Sequence, residues 1–363
     1  MTFRLPEGMR TPTLVVDLDI VQRNVNQMTE MSRTRGIRLR PHAKTHKTLE
    51  LAQLQLQGGA CGLSVATIGE AEFFSQAGCT DIFIAYPLWA NENAGERLRH
   101  LADNIKLSVG VDSLEGAQQL AKAMGSGIDS MGVLIEIDSG HHRTGVEPAL
   151  AGVVAHAADA AGLAIRGVFT FPGHGYVVNA RESAAQDEAQ SLRVAVGALD
   201  EIGLCVEVIS GGSTPTAAFT QRGMVNELRP GSYVFNDANQ VSLGVCDLED
   251  VALVAAATVV SAHESNRFVL NVGSKILGAD CPPTVVGYGI IPEFPKATII
   301  SLSEHHAVVH VPRGESVPKL GSLVAVVPNH VCNSVNLADE LLVVKEGSSV
   351  ERWCVAARSV NSY

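Results

Sequence analysis

Arg40-Pro41-His42-Ala43-Lys44-Thr45-His46-Lys47 is a basic octet that directly follows Gly36-Ile37-Arg38-Leu39, an alternating run that reads as a short strand. A lysine at a strand's end is a candidate nucleophile. At the mouth of a barrel, desolvation and neighbouring cations lower an amine's pKa, which is what an imine-forming lysine needs. A solvated basic loop is the plainer reading of such a stretch in isolation. The choice between the two rests on what the rest of the chain builds around Lys44.

Working outward, Thr13 to Asp17 is a β-branched run, and residues 18–35 carry apolar side chains at Ile20, Val21, Val25, Met28 and Met31, a helical spacing. After the octet the pattern predicts a helix over 48–57, a strand over 62–66 and a helix around 70–77. Strand-like runs then recur at 81–86, 105–109, 131–137, 164–169, 205–209 and 231–235, each ending near a plausible helix. With 37–40 as the first, this makes eight strands at intervals of roughly 20–40 residues, the cadence of a (β/α)8 TIM-like barrel. An open doubly wound sheet would want a glycine-rich dinucleotide turn after an early strand, and none is there. Beyond Leu243 the texture changes to short β-rich runs without long helical patterns between them. The expected fold class is therefore α/β, with a barrel over 18–240 and a mainly β domain over 241–363, to which residues 1–17 add a strand.

The totals narrow the function. The chain has 363 residues and a formal net charge of −11, with no Lys/Arg cluster beyond residues 38–47, so a nucleic-acid surface is excluded and small molecules are the expected partners. No apolar stretch approaches the ~20 residues needed to span a bilayer, and the first residues lack a signal peptide's apolar core, so a cytoplasmic protein is expected. Seven scattered cysteines without a CxxC indicate neither a disulfide framework nor a zinc ribbon.

In such a barrel the working residues lie at the C-terminal ends of the strands. Asp138 to Gly145, Pro172 to Tyr176 and Ser210-Gly211-Gly212-Ser213-Thr214-Pro215-Thr216 are polar clusters at such ends. The last puts backbone N–H groups and hydroxyls at a strand-to-helix turn, the makings of a phosphate cradle, although a capped turn has the same composition. Arg229-Pro230-Gly231-Ser232 is placed to close the cradle with the amides of Gly231 and Ser232. A lysine and a phosphate cup at one mouth point to pyridoxal 5'-phosphate, whose aldehyde and phosphate need those two anchors. Near the end, Pro328-Asn329-His330-Val331-Cys332-Asn333 follows the apolar run 323–327. If the extended conformation persists, His330 and Cys332 point to one side and can grip a metal ion, leaving positions open for substrate; a buried pair without metal is the bland alternative.

These motifs, in this order, resemble the D-threonine aldolase and D-serine dehydratase family, fold-type III pyridoxal phosphate enzymes with an alanine-racemase-like barrel. The resemblance runs from Thr11-Pro12-Thr13 through 40–47, Arg143, His174/Tyr176, 210–216 and 227–237 to 328–332. It implies that Lys44 is the Schiff-base lysine and that Arg143 bonds the cofactor's phenolic oxygen. His174 and Tyr176 then lie beside the ring, Gly212, Ser213, Thr214, Gly231 and Ser232 hold the phosphate, and Arg229 meets the pyridine nitrogen. His330 and Cys332 become ligands of a divalent metal; thiolate with imidazole suits Zn²⁺, with Mn²⁺ or Mg²⁺ open. A homodimer is implied as well.

Within the family, aldolases tend to carry His-x-Asp at the metal and dehydratases His-x-Cys. Cys332 and the Gly-Ser-Thr-Pro-Thr turn lean towards the dehydratases, while Asn336-Leu337-Ala338-Asp339 looks aldolase-like. The function expected is a metal-dependent lyase on D-β-hydroxy amino acids, with dehydration of D-serine or D-threo-3-hydroxyaspartate to a 2-oxo acid and ammonia as the leading reading. The alternative is a D-threonine aldolase releasing glycine and an aldehyde. A racemase would need a second base, usually a tyrosine of a partner's β domain, where Tyr288 is the candidate. A non-catalytic cofactor-binding protein would not require the His330/Cys332 pair.

Overall fold

In the computed structural model, which describes residues 3–264 and 266–361, the chain opens with strand β1 (Thr13–Asp17) and helix α1 (Leu18–Arg35). Asp17 starts the helix by accepting hydrogen bonds from the Asp19 and Ile20 amides at 3.0 and 3.1 Å. By contacts the described residues fall into two units: 28–44 with 52–231 and 359–361, and the remainder up to 358.

The first unit is the barrel. Its strands are β2 (Arg38–Leu39), β3 (Leu63–Val65), β4 (Asp81–Pro87), β5 (Lys106–Val111), β6 (Gly132–Ile137), β7 (Ala164–Thr170), β8 (Val208–Gly211) and β9 (Glu227–Leu228). They run parallel in the order β2-β9-β8-β7-β6-β5-β4-β3. The ring closes between its end strands: the Cys61 amide donates to Leu39 O and the Ser64 amide to Pro41 O, both at 2.8 Å, and His42 bridges Ser64. Closure thus falls on the basic octet itself. All six residues of β6 are buried, as parallel strands covered on both faces must be. Between the strands lie α2 (Leu49–Gln57), α3 (Ile68–Gln76), α4 (Glu92–Ala102), α5 (Leu114–Met124), α6 (Ala151–Ala160) and α7 (Arg181–Asp200). Thr67, Asn91 and Ser113 cap α3, α4 and α5 through their side chains, and these helices turn residues such as Phe74, Leu98 and Leu120 into the core.

Eight strands match the cadence, but the last is not where expected. Residues 231–235 hold a 3₁₀ turn (Ser232–Val234), with Ser232 O accepting from the Phe235 and Asn236 amides, and β9 lies four residues earlier. Pro230 has no N–H to give a ladder, so the strand ends before it. Likewise β8 begins at Val208, three residues into the run taken as 205–209.

The second unit is built on a mixed sheet of β10 (Leu253–Glu264), β11 (Arg267–Leu270), β12 (Thr298–Leu302), β13 (Ala307–His310), β14 (Leu323–Val326), β15 (Glu340–Lys345) and β16 (Ser348–Cys354), joined by β1. β1 pairs antiparallel with β10 and parallel with β15, so the chain's first strand completes a sheet otherwise made from its last third. Short helices α8 (Ala238–Ser242), α9 (Ser274–Leu277) and α10 (Val331–Leu337) lie in this unit. Val15, Val254, Ala256, Ala325 and Val344 form part of its core. No described helix is long and apolar enough to cross a membrane.

Buried ions hold the barrel seam. Arg40, 5% exposed, reaches Asp81 on β4 at 2.7 Å and Glu227 on β9 at 2.9 Å. Burial alone would raise the Glu227 carboxyl, but the Arg40 guanidinium outweighs it and holds the pKa below the ordinary 4.5. Removing one partner of such a pair leaves an uncompensated buried charge, so Arg40→Ala should cost about 3–5 kcal/mol, read as a lower urea midpoint. Because the folded pKa of Glu227 is depressed, its contribution is complete above the unfolded carboxylate value and is lost as pH falls through the folded one. Glu227→Gln should therefore flatten the fall of stability with acid; a variant that loses stability as steeply as the wild type would count against this account.

Candidate active site

Inside the barrel, Phe83 of β4 and Phe169 of β7 meet edge to face, ring centroids 5.0 Å apart, with Leu134 of β6 beside them. Gly110 on β5 makes room: a Cβ there would fall 2.6 Å from the Phe169 ring. Against these rings sits Arg229, its guanidinium carbon 5.6 and 5.3 Å from the two centroids. Its Nη1 donates to Ser210 Oγ at 2.8 Å and its Nη2 to Thr170 O at 2.6 Å. Its buried Nε has no hydrogen-bond partner among the described residues. Burial lowers the guanidinium's pKa to about 10 despite Glu227, Glu188 and Glu136, so the group stays charged at neutral pH. A fixed donor without an acceptor, over aromatic rings, suits the nitrogen of a planar heterocycle.

Lys44 is half-buried on a 3₁₀ turn, Ala43–Thr45, straight after β2. The turn is anchored from the barrel side, since the His42 amide donates to Pro230 O at 3.0 Å.

The Gly-Gly-Ser-Thr turn follows β8 as the sequence predicts, but not all its amides face outward. The Gly212 amide donates to Glu188 Oε1 of α7 at 2.6 Å, and the Ser213 amide to Thr216 Oγ1 at 3.0 Å. Gly212 takes φ +74°, and a Cβ on it would stand 2.2 Å from a Leu228 methyl, so only glycine fits. Glu188 is fully buried and its pKa rises to about 7, burial outweighing Gly212 and Arg229. It was not legible as a site residue, being one glutamate on an otherwise ordinary amphipathic helix. Thr214 is buried on the same turn and Gly231 follows Arg229 at the strand's exit. Ser232 is buried with an Oγ lacking a hydrogen-bond partner among the described residues.

Arg143, His141 and Tyr176 gather on Phe171 after β6 and β7. The Arg143 guanidinium lies 4.9 Å over the Phe171 ring, while His141 and Tyr176 stand at 5.4 and 6.2 Å from it. His174 Nε2 lies 3.3 Å from Asp187 Oδ2, and neither of its ring nitrogens has a hydrogen-bond partner among the described residues. Burial, then Arg143 and His174, lower the His141 pKa.

His330 and Cys332 lie beyond β14, and not in the extended arrangement expected. β14 ends at Val326; His330 is extended, φ −138°, but Cys332 is already in α10. They meet nonetheless, through a side-chain hydrogen bond. His330 Nδ1 lies 3.8 Å from Asp237 Oδ2, and this fully buried carboxylate also accepts from the Val331 and Gln240 amides. Burial would lower the His330 pKa, but Cys332, Asp237 and Asp280 together lift it to about 9. Cys332 Sγ lies 3.3 Å from Thr45 Oγ1. Among the described residues no three His, Cys, Asp or Glu side chains converge to hold a metal. The pair therefore offers one imidazole and one thiolate, a donor set suited to a divalent ion with open positions.

Residues 16–239 match the model of the alanine racemase N-terminal domain, and 252–344 that of a putative serine dehydratase domain. The chain is 34% identical to a D-threonine aldolase of an Arthrobacter species, over 96% of this chain and 92% of that one. It is 32% identical to the D-threo-3-hydroxyaspartate dehydratase of Delftia sp. strain HT23, over 94% and 96%. The solved structure of the Delftia dehydratase superposes with a TM-score of 0.88, 30% identity and coverage of 96% and 97%. On these matches the chain is a member of the D-threonine aldolase and D-serine dehydratase family of pyridoxal phosphate-dependent lyases.

Proposed function

We propose that the protein is a dehydratase of D-β-hydroxy amino acids, of the D-serine or D-threo-3-hydroxyaspartate type, with Zn²⁺ as its metal. The observation that carries the choice of dehydration is Cys332 beside His330, the thiolate that the dehydratases of the family share by resemblance. An aldolase remains the second reading, favoured by the Asn336 to Asp339 stretch.

The residues fit the cofactor. Arg229 offers a buried Nε for the ring nitrogen, Ser232 a buried hydroxyl and the Gly212–Thr214 turn a rigid seat for the phosphate. Bound there, pyridoxal phosphate supplies a sink for charge at Cα, and the divalent ion a Lewis acid for the β-oxygen. Lys44 would anchor the cofactor and would serve as the base that moves the α-proton. Arg143, lying over the Phe171 ring, would orient the phenolic edge, and His174 and Tyr176 would border the ring. His330 and Cys332 hold the ion. A small D-amino acid as substrate, a second copy of the chain as partner and a cytoplasmic location complete the proposal.

The test is incubation with D-serine, D-threonine and D-threo-3-hydroxyaspartate, assaying 2-oxo acid, ammonia and glycine. 2-Oxo acid and ammonia in equal amounts are expected; glycine as the main product would turn the reading to an aldolase. Borohydride should fix the cofactor onto Lys44 and not Lys47. Cys332→Ala should keep the yellow colour yet lose most turnover, by at least about tenfold as for lost metal-site contacts; full activity in metal-free buffer would promote the racemase. Gly212→Ala, blocked by Leu228 and strained in φ, should lose cofactor while far-UV circular dichroism stays unchanged, whereas wild-type retention would remove the turn from the site.

A further inference from the structure

Two buried side chains outside the family's motif roles approach the His330/Cys332 pair, one on each donor. Asp237 faces the imidazole and has an evident second duty, capping α8 through the Gln240 amide at 2.9 Å. Thr45 is different. The residue is 1% exposed, and among the described residues the one hydrogen bond of its hydroxyl is the 3.3 Å contact with Cys332 Sγ. The two residues are 287 positions apart in sequence, so no local turn explains the contact. A buried hydroxyl against a sulfur, rather than the valine that would fill the same volume, is a polar group held where only the sulfur makes use of it.

We propose that Thr45 is a positioning residue for the metal-binding thiolate: its hydroxyl fixes the Cys332 sulfur and, as a donor to it, withdraws charge from the metal–sulfur bond. This rests on His330 and Cys332 being the metal pair. As a thiol, Cys332 donates to Thr45. As a thiolate ligand it has no proton to give, and the hydroxyl, which rotates freely between donating and accepting, turns to donate to sulfur. Partners of this kind around metal ligands set ligand orientation and basicity, and their loss typically costs about 10–100-fold in metal affinity. Thr45 also follows Lys44 directly in the chain, so the residue that steadies the thiolate shares a peptide bond with the lysine.

The experiment titrates Co²⁺ into metal-free holoenzyme and records the sulfur-to-cobalt charge-transfer band in the difference spectrum. In Thr45→Val the band should move to lower energy, because a thiolate relieved of its donor is richer in charge, and Co²⁺ affinity should fall about tenfold or more. Thr45→Ser, which keeps the hydroxyl, should restore both, and the cofactor's own absorbance should be the same in all three proteins. A Thr45→Val protein that binds Co²⁺ with wild-type affinity and an unmoved band overturns the proposal. Cys332→Ala separates the two levels of the argument. If it abolishes the band, the metal pair stands and the Thr45 result is judged alone; if it leaves the band intact, the pair itself is wrong and Thr45 falls with it.

Discussion

The constraint on which the barrel depends is a line of buried polar contacts across its seam: Asp81 to Arg40, Arg40 to Glu227, Glu227 to Ser210 and Ser210 to Arg229. Each ion there has left water at a cost that pairing alone barely offsets. An apolar seam would serve stability as well. What it would not supply is Arg229 in one orientation. Two of the guanidinium's nitrogens are committed to Ser210 and Thr170 and the group lies against Phe83 and Phe169, so Nε is oriented by the protein's own contacts. The seam is thus the base on which the proposed cofactor site is pre-organised.

The same logic shapes the polar turn after β8. Its sequence suggests a nest of free amides, yet Gly212 and Ser213 spend theirs on Glu188 and Thr216. Those bonds hold Gly212 at its positive φ. Glu188 sits behind the turn with its pKa raised by burial to about 7, so at neutral pH it carries less negative charge than an ordinary carboxylate.

Much of this was legible in the sequence because periodicity and turn residues report local geometry. β4 to β7 were read almost to the residue, since long apolar runs covered on both faces admit few alternatives. β2 and β9 are two residues each, too short to leave a pattern, and β9 was assigned to Tyr233 and its neighbours, which are as apolar as any strand but follow a proline. β16 leaves no apolar run to read, because Ser348 to Arg352 is polar apart from the exposed Val350, and burial begins only at Trp353. The His330/Cys332 pair was identified through a strand that ends too early; the side chains meet because a helix starts between them. Glu188, Thr45 and Asp237 left no signal, since their importance lies in what they touch across long stretches of chain.

The octet around Lys44 shows why long-range contacts decide the matter. On its N-terminal side the backbone is held by Pro230 O through the His42 amide and by the Ser64 amide through Pro41 O, contacts available only when the ring is closed. On its C-terminal side Thr45 meets Cys332, and Lys47 O accepts from the Ala357 amide at 3.2 Å. Lys44 is the residue between these two sets, so its backbone is fixed on both sides in sequence. A lysine in a mobile basic loop would spend conformational entropy each time it formed an imine. Here folding has already fixed the backbone, so the imine proposed at Lys44 would form on a segment that does not need to be ordered again.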